Sequence, residues 1–158
     1  MTASFVACAA VGVAAVSTAS ALASPTAPAA RCAVSVTKPL PSQPSFNFGT
    51  VRLAVNLPKN ATFVAVSEGK PGGAWLQRDG SIRTKVGWLN ARGSLRLSGR
   101  RLDRSALPLR GNVGVESWAL GVGAFFPSIL LFPSVGCWKI TATAGEARLD
   151  VVVRVVRR

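Results

Sequence analysis

From Val34 to Val156 apolar and polar residues alternate with a period near two, the spacing of strands with one buried face. Val51, Leu53, Val55 and Leu57 share one side of a predicted strand, and Pro58-Lys59-Asn60 turns the chain after it. A second run, Ala61 to Ser67, centres on the β-branched Val64 and Val66. Glu68-Gly69-Lys70-Pro71-Gly72-Gly73 reads as a loop, because glycine and proline interrupt a ladder. Asp79-Gly80 joins Ala74 to Arg78 with Ser81 to Trp88. This dipeptide suits the two positive-φ positions of a type I′ turn, so a hairpin is predicted. Ile82, Thr84 and Val86 then face one way and Arg83 and Lys85 the other. Leu95-Arg96-Leu97 is a strand between Gly93 and Gly99. Leu107-Pro108-Leu109 is an irregular connection, and Val113 to Trp118 is extended.

The strongest sheet signal lies at the C-terminus. Trp138, Ile140 and Ala142 alternate with Lys139, Thr141 and Thr143. A Gly145-Glu146 turn leads to Leu149, Val151, Val153 and Val155, with Arg148, Asp150 and Arg154 opposite. Ser117 to Trp138 carries no charge, which raises a transmembrane helix. Gly121, Gly123, Pro127, Pro133 and Gly136 oppose it, each proline costing a helix ~3 kcal/mol. The stretch reads instead as a glycine-rich loop and a buried strand over Ile129-Leu130-Leu131-Phe132. About nine short strands with closely spaced turn signals, and no helical pattern, predict an all-β fold, a sandwich or barrel.

The run Pro133-x-x-Gly136-x-Trp138-x-x-Thr141-x-x-x-Gly145 resembles the last hairpin of many bacterial immunoglobulin-like domains. Ala74-Trp75-Leu76, Asp79-Gly80-Ser81, Gly93-Ser94-Leu95, Gly99-Arg100-Arg101-Leu102-Asp103 and Gly136-Cys137-Trp138 are similar to a group of uncharacterised exported bacterial proteins. The resemblance covers Val51 to Val156. It implies an antiparallel immunoglobulin-like β-sandwich of about seven to nine strands over residues 34–158. The matching residues are structural punctuation, so it transfers no functional residue.

The N-terminus sets the compartment. Residues 1–23 carry no charged side chain and end in Ala21-Leu22-Ala23, the pattern of a cleaved signal peptide. An uncleaved anchor competes, since Phe5 to Ala23 approaches the ~20 residues a bilayer requires. Dilution by Ala, Ser and Thr favours cleavage. Residues 24–33 form an Ala/Pro-rich leader, and the expected location is secreted or cell envelope. Cleavage removes Cys8 and leaves Cys32 and Cys137. An even count in an exported chain predicts one disulfide, with two free thiols as the alternative. By parity Cys137 lies on the Lys139 side, so the bond pins the N-terminal segment over an outer face or edge.

The chain of 158 residues has a net charge of +13 and neither His nor Tyr. Absence of imidazole excludes Ser-His-Asp and Cys-His catalysis and histidine metal sites. The carboxylates are Glu68, Asp79, Asp103, Glu116, Glu146 and Asp150. Asp79 and Glu146 sit in predicted turns, and Asp150 alternates with Arg148 and Arg154. Glu68 and Glu116 alone lack a structural role, a thin basis for a hydrolase pair. No metal or cofactor is expected. What remains is a basic stretch: Arg78, Arg83, Lys85, Arg92, Arg96, Arg100, Arg101, Arg104 and Arg110, with Trp75 and Trp88 beside it. Cations next to an indole hold a sugar, nucleobase or phosphate by charge and stacking. The competing reading makes the indoles core anchors and the arginines a solvated face. This competing reading is favoured for the whole set, because Trp88 shares parity with Ile82 and Val86. The expectation is a non-catalytic exported binding module for an anionic envelope polymer, a polysaccharide or membrane surface, with nucleic acid less favoured. The alternative is a structural or protein-interaction domain of the envelope, docking a partner at a sheet edge or near Phe125 and Phe126.

Overall fold

A computed structural model describes residues 32–70, 73–90, 93–115 and 124–158. The predicted signal peptide 1–23 lies outside the described residues, as does the predicted leader except Cys32 and Ala33. Among the described residues there are ten strands: β1 (Phe48–Thr50), β2 (Leu53–Val55), β3 (Thr62–Ser67), β4 (Ala74–Leu76), β5 (Ile82–Asn90), β6 (Leu95–Arg101), β7 (Arg110–Val113), β8 (Ala124–Phe132), β9 (Gly136–Ala144) and β10 (Ala147–Arg157). The fold is all-β, as the period-two pattern predicts. The uncharged stretch that raised a membrane helix forms β8 and the start of β9 where it is described.

The strands belong to one continuous sheet that folds into two layers. β6, β9 and β10 make one layer, paired antiparallel. β4, β5, β8 and β7 make the other, also antiparallel, with β2 and then β1 added along β5. β3 is the corner. Its first residues pair with Arg154 to Arg157 of β10 and its last with Ala74 to Leu76 of β4, both in parallel. The sheet is therefore mixed, where a purely antiparallel arrangement was expected, and it has ten strands where seven to nine were expected. A strand that leaves one layer for the other meets each neighbour over only three or four residues, too short a ladder to show in the sequence. At the far side the layers meet again. Leu109 N donates to Gly99 O at 3.0 Å, and a Cβ built on Gly111 would lie 3.0 Å from that of Leu97.

One core fills the space between the layers. Trp138, Ile140, Val151 and Val153 face Ile82, Trp88, Leu130 and Phe132, all buried. The Phe132 and Trp138 rings cross it at 5.6 Å between centroids, and Phe63 meets Phe132 at 5.8 Å. The buried indole of Trp88 donates from Nε1 to Ser128 Oγ (2.8 Å), which donates to Val86 O (3.2 Å). The predicted parities of β5, β9 and β10 hold. That of the Ala61 to Ser67 run does not centre on its valines: Ala61, Phe63 and Ala65 face the core, while Val64 is exposed. Val51 is also turned out, 60% exposed in the bend between β1 and β2.

A second small core was not foreseen. Leu40 and Phe46, from a proline-rich loop, pack with Ala54, Leu89 and Phe125 on the outer side of β2, β5 and β8. Asn47 fastens this loop by imitating a strand: Nδ2 donates to Leu57 O (2.7 Å) and Oδ1 accepts from Leu57 N (2.8 Å).

The β4–β5 hairpin forms, but not through a type I′ turn. Gly80 N donates to Gln77 O (3.0 Å) and Gln77 N to Ser81 O (2.8 Å), while only Gly80 has positive φ, +81°. This is a type I turn closed by a left-handed glycine, the usual three-residue solution. Asp79 Oδ1 accepts from Ser81 N (3.0 Å) and Ser81 Oγ (2.6 Å), and Asp79 does not take the positive φ a type I′ turn needs.

Cys32 and Cys137 are joined, with Cα atoms 5.5 Å apart. Ser35 N donates to Val152 O, and Val152 N to Ser35 Oγ, both at 2.9 Å. The N-terminal segment thus lies along β10 where β3 does not reach, as the parity of Cys137 predicts.

Candidate binding face

Strand register assembles a site on the outer side of the β4–β5–β8–β7 layer. Trp75 pairs with Arg83, Arg83 with Leu131, and Arg110 with Leu131, so the four side chains form one row across four strands. The next row is Lys85, Ile129 and Asn112, and the one beyond it Gly87 and Pro127. Neighbouring strands lie ~4.8 Å apart, which puts the whole row within ~15 Å. Trp75 is half-buried, and its Nε1 donates to Lys70 O at 3.2 Å, fixing the ring orientation.

Two depressions border these rows. A shallow pocket of about 270 Å³ lies among Glu68, Gly69, Trp75, Gln77, Arg83 and Lys85. A longer groove of about 470 Å³ runs over Gly87, Pro127, Ile129 and Phe125, with Lys85 and Asn112 at its rim. A Cβ on Gly87 would lie 2.5 Å from the Phe125 ring, so a larger residue there displaces that ring. The face grades from apolar at Phe125 to cationic at Arg83 and Arg110.

The predicted basic stretch does not form a single face. Arg83, Lys85 and Trp75 come together, and Arg110 joins them from β7. Arg78 stands exposed in the hairpin turn at the end of the same layer. Arg96 and Arg100 project from β6, on the opposite layer, and Arg104 is exposed in the loop after it. Arg92 lies outside the described residues. Arg101 is not a surface cation. Its side chain is 5% exposed, Nε donates to Asp103 Oδ1 at 2.6 Å, and a terminal nitrogen donates to Ser134 Oγ at 2.8 Å. It follows Leu95, Leu97 and Gly99 at inward parity, so the fold consumes its charge internally. Trp88 is a core anchor, as its parity predicts, and takes no part in the face.

The carboxylates are mostly structural. The Ser81 hydroxyl and amide bonds hold Asp79 below the usual carboxylate range. The Arg101 guanidinium bond does the same for Asp103. Asp150 is lowered to about 2, first by the Thr141 hydroxyl and then by Lys139. Glu146 is exposed in the β9–β10 turn, and Glu116 lies outside the described residues. Glu68 stands at the pocket rim. Among the described residues no three His, Cys, Asp or Glu side chains come together as a metal site.

Sequence reasoning missed Leu131, Ile129 and Pro127, whose outward direction follows only from pairing with β5. Lys139, Arg148 and Arg154 stand opposite the core, as the alternation from Trp138 to Val155 predicts, but sequence reasoning did not count them among the binding cations. No protein-family description and no curated protein matches the chain.

Proposed function

We propose that this protein is a non-catalytic, exported binding module of immunoglobulin-like sandwich type that holds an acidic polysaccharide of the cell envelope. The reading rests on one observation: the row Trp75, Arg83, Leu131, Arg110, with Lys85 beside it. An indole offers its flat face to the C–H side of a sugar ring. Guanidinium groups pair with uronate carboxylates in two-point contacts. A pocket between Trp75, Arg83 and Lys85 brings both to one sugar-sized position.

Calorimetry with polygalacturonate tests it. Three cationic contacts predict a loss of roughly ten- to fiftyfold in affinity between about 50 and 200 mM salt. Arg83→Glu/Lys85→Glu is expected to remove the site on this face, and Trp75→Ala to weaken it at every salt concentration. Absent binding, or binding indifferent to salt and to these substitutions, overturns the reading. A protein-interaction domain is the second reading, favoured by the apolar groove at Phe125, Pro127 and Ile129. It predicts a partner retained at high salt and lost with Ile129→Lys.

A further inference from the structure

We infer that the molecule carries a second acidic-polysaccharide site on its opposite layer and therefore bridges two polymer chains. The inference rests on the reading above. Its observations are separate: the outward residues of β6, β9 and β10.

Arg96 pairs in register with Thr143, and Thr143 with Arg148. Arg100 pairs with Lys139. These rows place Arg96, Arg100, Lys139, Arg148 and Arg154 on one outer face. Asp150 is the carboxylate among them. It is already bonded to Thr141 Oγ1 (2.6 Å), Lys139 Nζ (2.9 Å) and, more loosely, Arg148 (3.4 Å). Among the described residues Arg96 and Arg100 have no carboxylate partner. Arg96 and Arg148 lie two strands apart, ~10 Å, and Arg96 and Arg100 four residues apart, ~13 Å, so an extended polyanion lying on this face meets several cations at once. The threonine and serine hydroxyls between them, Ser98, Thr141 and Thr143, add hydrogen-bonding partners for sugar oxygens.

The two cationic faces point away from each other, because the inward residues of both layers share one core. The two parts of the folded sheet, with the shared core between them, separate the faces. A stiff chain lying on one face cannot reach the other, so the second face recruits a second chain. The outward cations of β6 belong to the same sequence stretch as Arg83 and Lys85. The fold splits that stretch into two sites by putting β6 against β9 instead of β5.

Calorimetry with an oligogalacturonate too short to reach around the fold counts the sites. The monomeric protein, checked by sedimentation, is expected to bind two. Arg96→Glu/Arg100→Glu is expected to bind one with the remaining affinity unchanged, and Arg83→Glu/Lys85→Glu to bind one by the other face. Arg96→Gln/Arg100→Gln, which leaves no new negative charge, is expected to weaken the second site at least tenfold. With the long polymer the native protein clouds the solution near equivalence and clears in excess, whereas either single-face variant binds without clouding. A single site in the native protein, or two in Arg96→Glu/Arg100→Glu, overturns the inference and leaves the first site standing. No polysaccharide binding at all, or cross-linking of DNA or anionic vesicles only, overturns both.

Discussion

Ser128 shows how one small side chain makes a large buried one tolerable. An indole N–H sealed in the core without an acceptor costs roughly 1–3 kcal/mol. Ser128 Oγ supplies that acceptor and donates its own O–H to Val86 O. Ser128→Ala is therefore expected to lower unfolding free energy by about 1–3 kcal/mol in urea titration. Trp88→Phe removes the donor as well, so the double variant is expected to cost less than the sum of the two singles. Arg101 makes the converse point. A cation at inward parity is buried only because Asp103 and Ser134 meet it. Its parity is legible in the alternation of the chain, two residues after Gly99 and in phase with Leu95 and Leu97; its partners are not.

At the scale of elements, β9 and β10 form the best-specified unit. A two-residue Gly145-Glu146 turn sets the register, and Leu149, Val151 and Val153 follow opposite Ala142, Ile140 and Trp138. On the outer side Asp150 accepts from Thr141 and Lys139 across the strand pair. Its pKa, about 2 in the fold, stands below the ~3.9 of an unfolded aspartate. The unfolded chain takes up the proton first, so this contribution is complete above pH ~4 and disappears as the pH falls toward 2. Asp150→Asn is expected to flatten the acid limb of stability between those values, as followed by thermal midpoint against pH. The β4–β5 hairpin was equally legible as an element, but its turn type was not. The Asp79 side chain bonds forward to Ser81 and keeps its own φ negative, a local competition that the Asp-Gly pair alone does not reveal.

For the whole molecule the decisive link is long in sequence and short in space. The Cys32–Cys137 bond spans 105 residues and ties the first described residue to the penultimate strand. Closing so long a loop removes unfolded-state entropy equivalent to at most ~4.7 kcal/mol. Cys32→Ser/Cys137→Ser is expected to lose roughly 2–5 kcal/mol, seen as a lower urea midpoint, with the same shift on reducing the native protein. The bonds between Ser35 and Val152 hold the segment only weakly once the cross-link is gone.

Period-two alternation and turn residues were enough to determine an all-β chain, its C-terminal hairpin and the inward faces of β5 and β10, and the expected pairing of Cys32 with Cys137 is present. These are local or parity properties, carried by neighbours in the chain. Only the tertiary structure decided that β3 turns the corner in parallel, that Leu40 and Phe46 build a second core, and that the basic stretch divides between two opposite faces. Those outcomes depend on which strand lies beside which. Strand neighbours are chosen by the packing of residues far apart in sequence, and alternation is the same whichever neighbour wins.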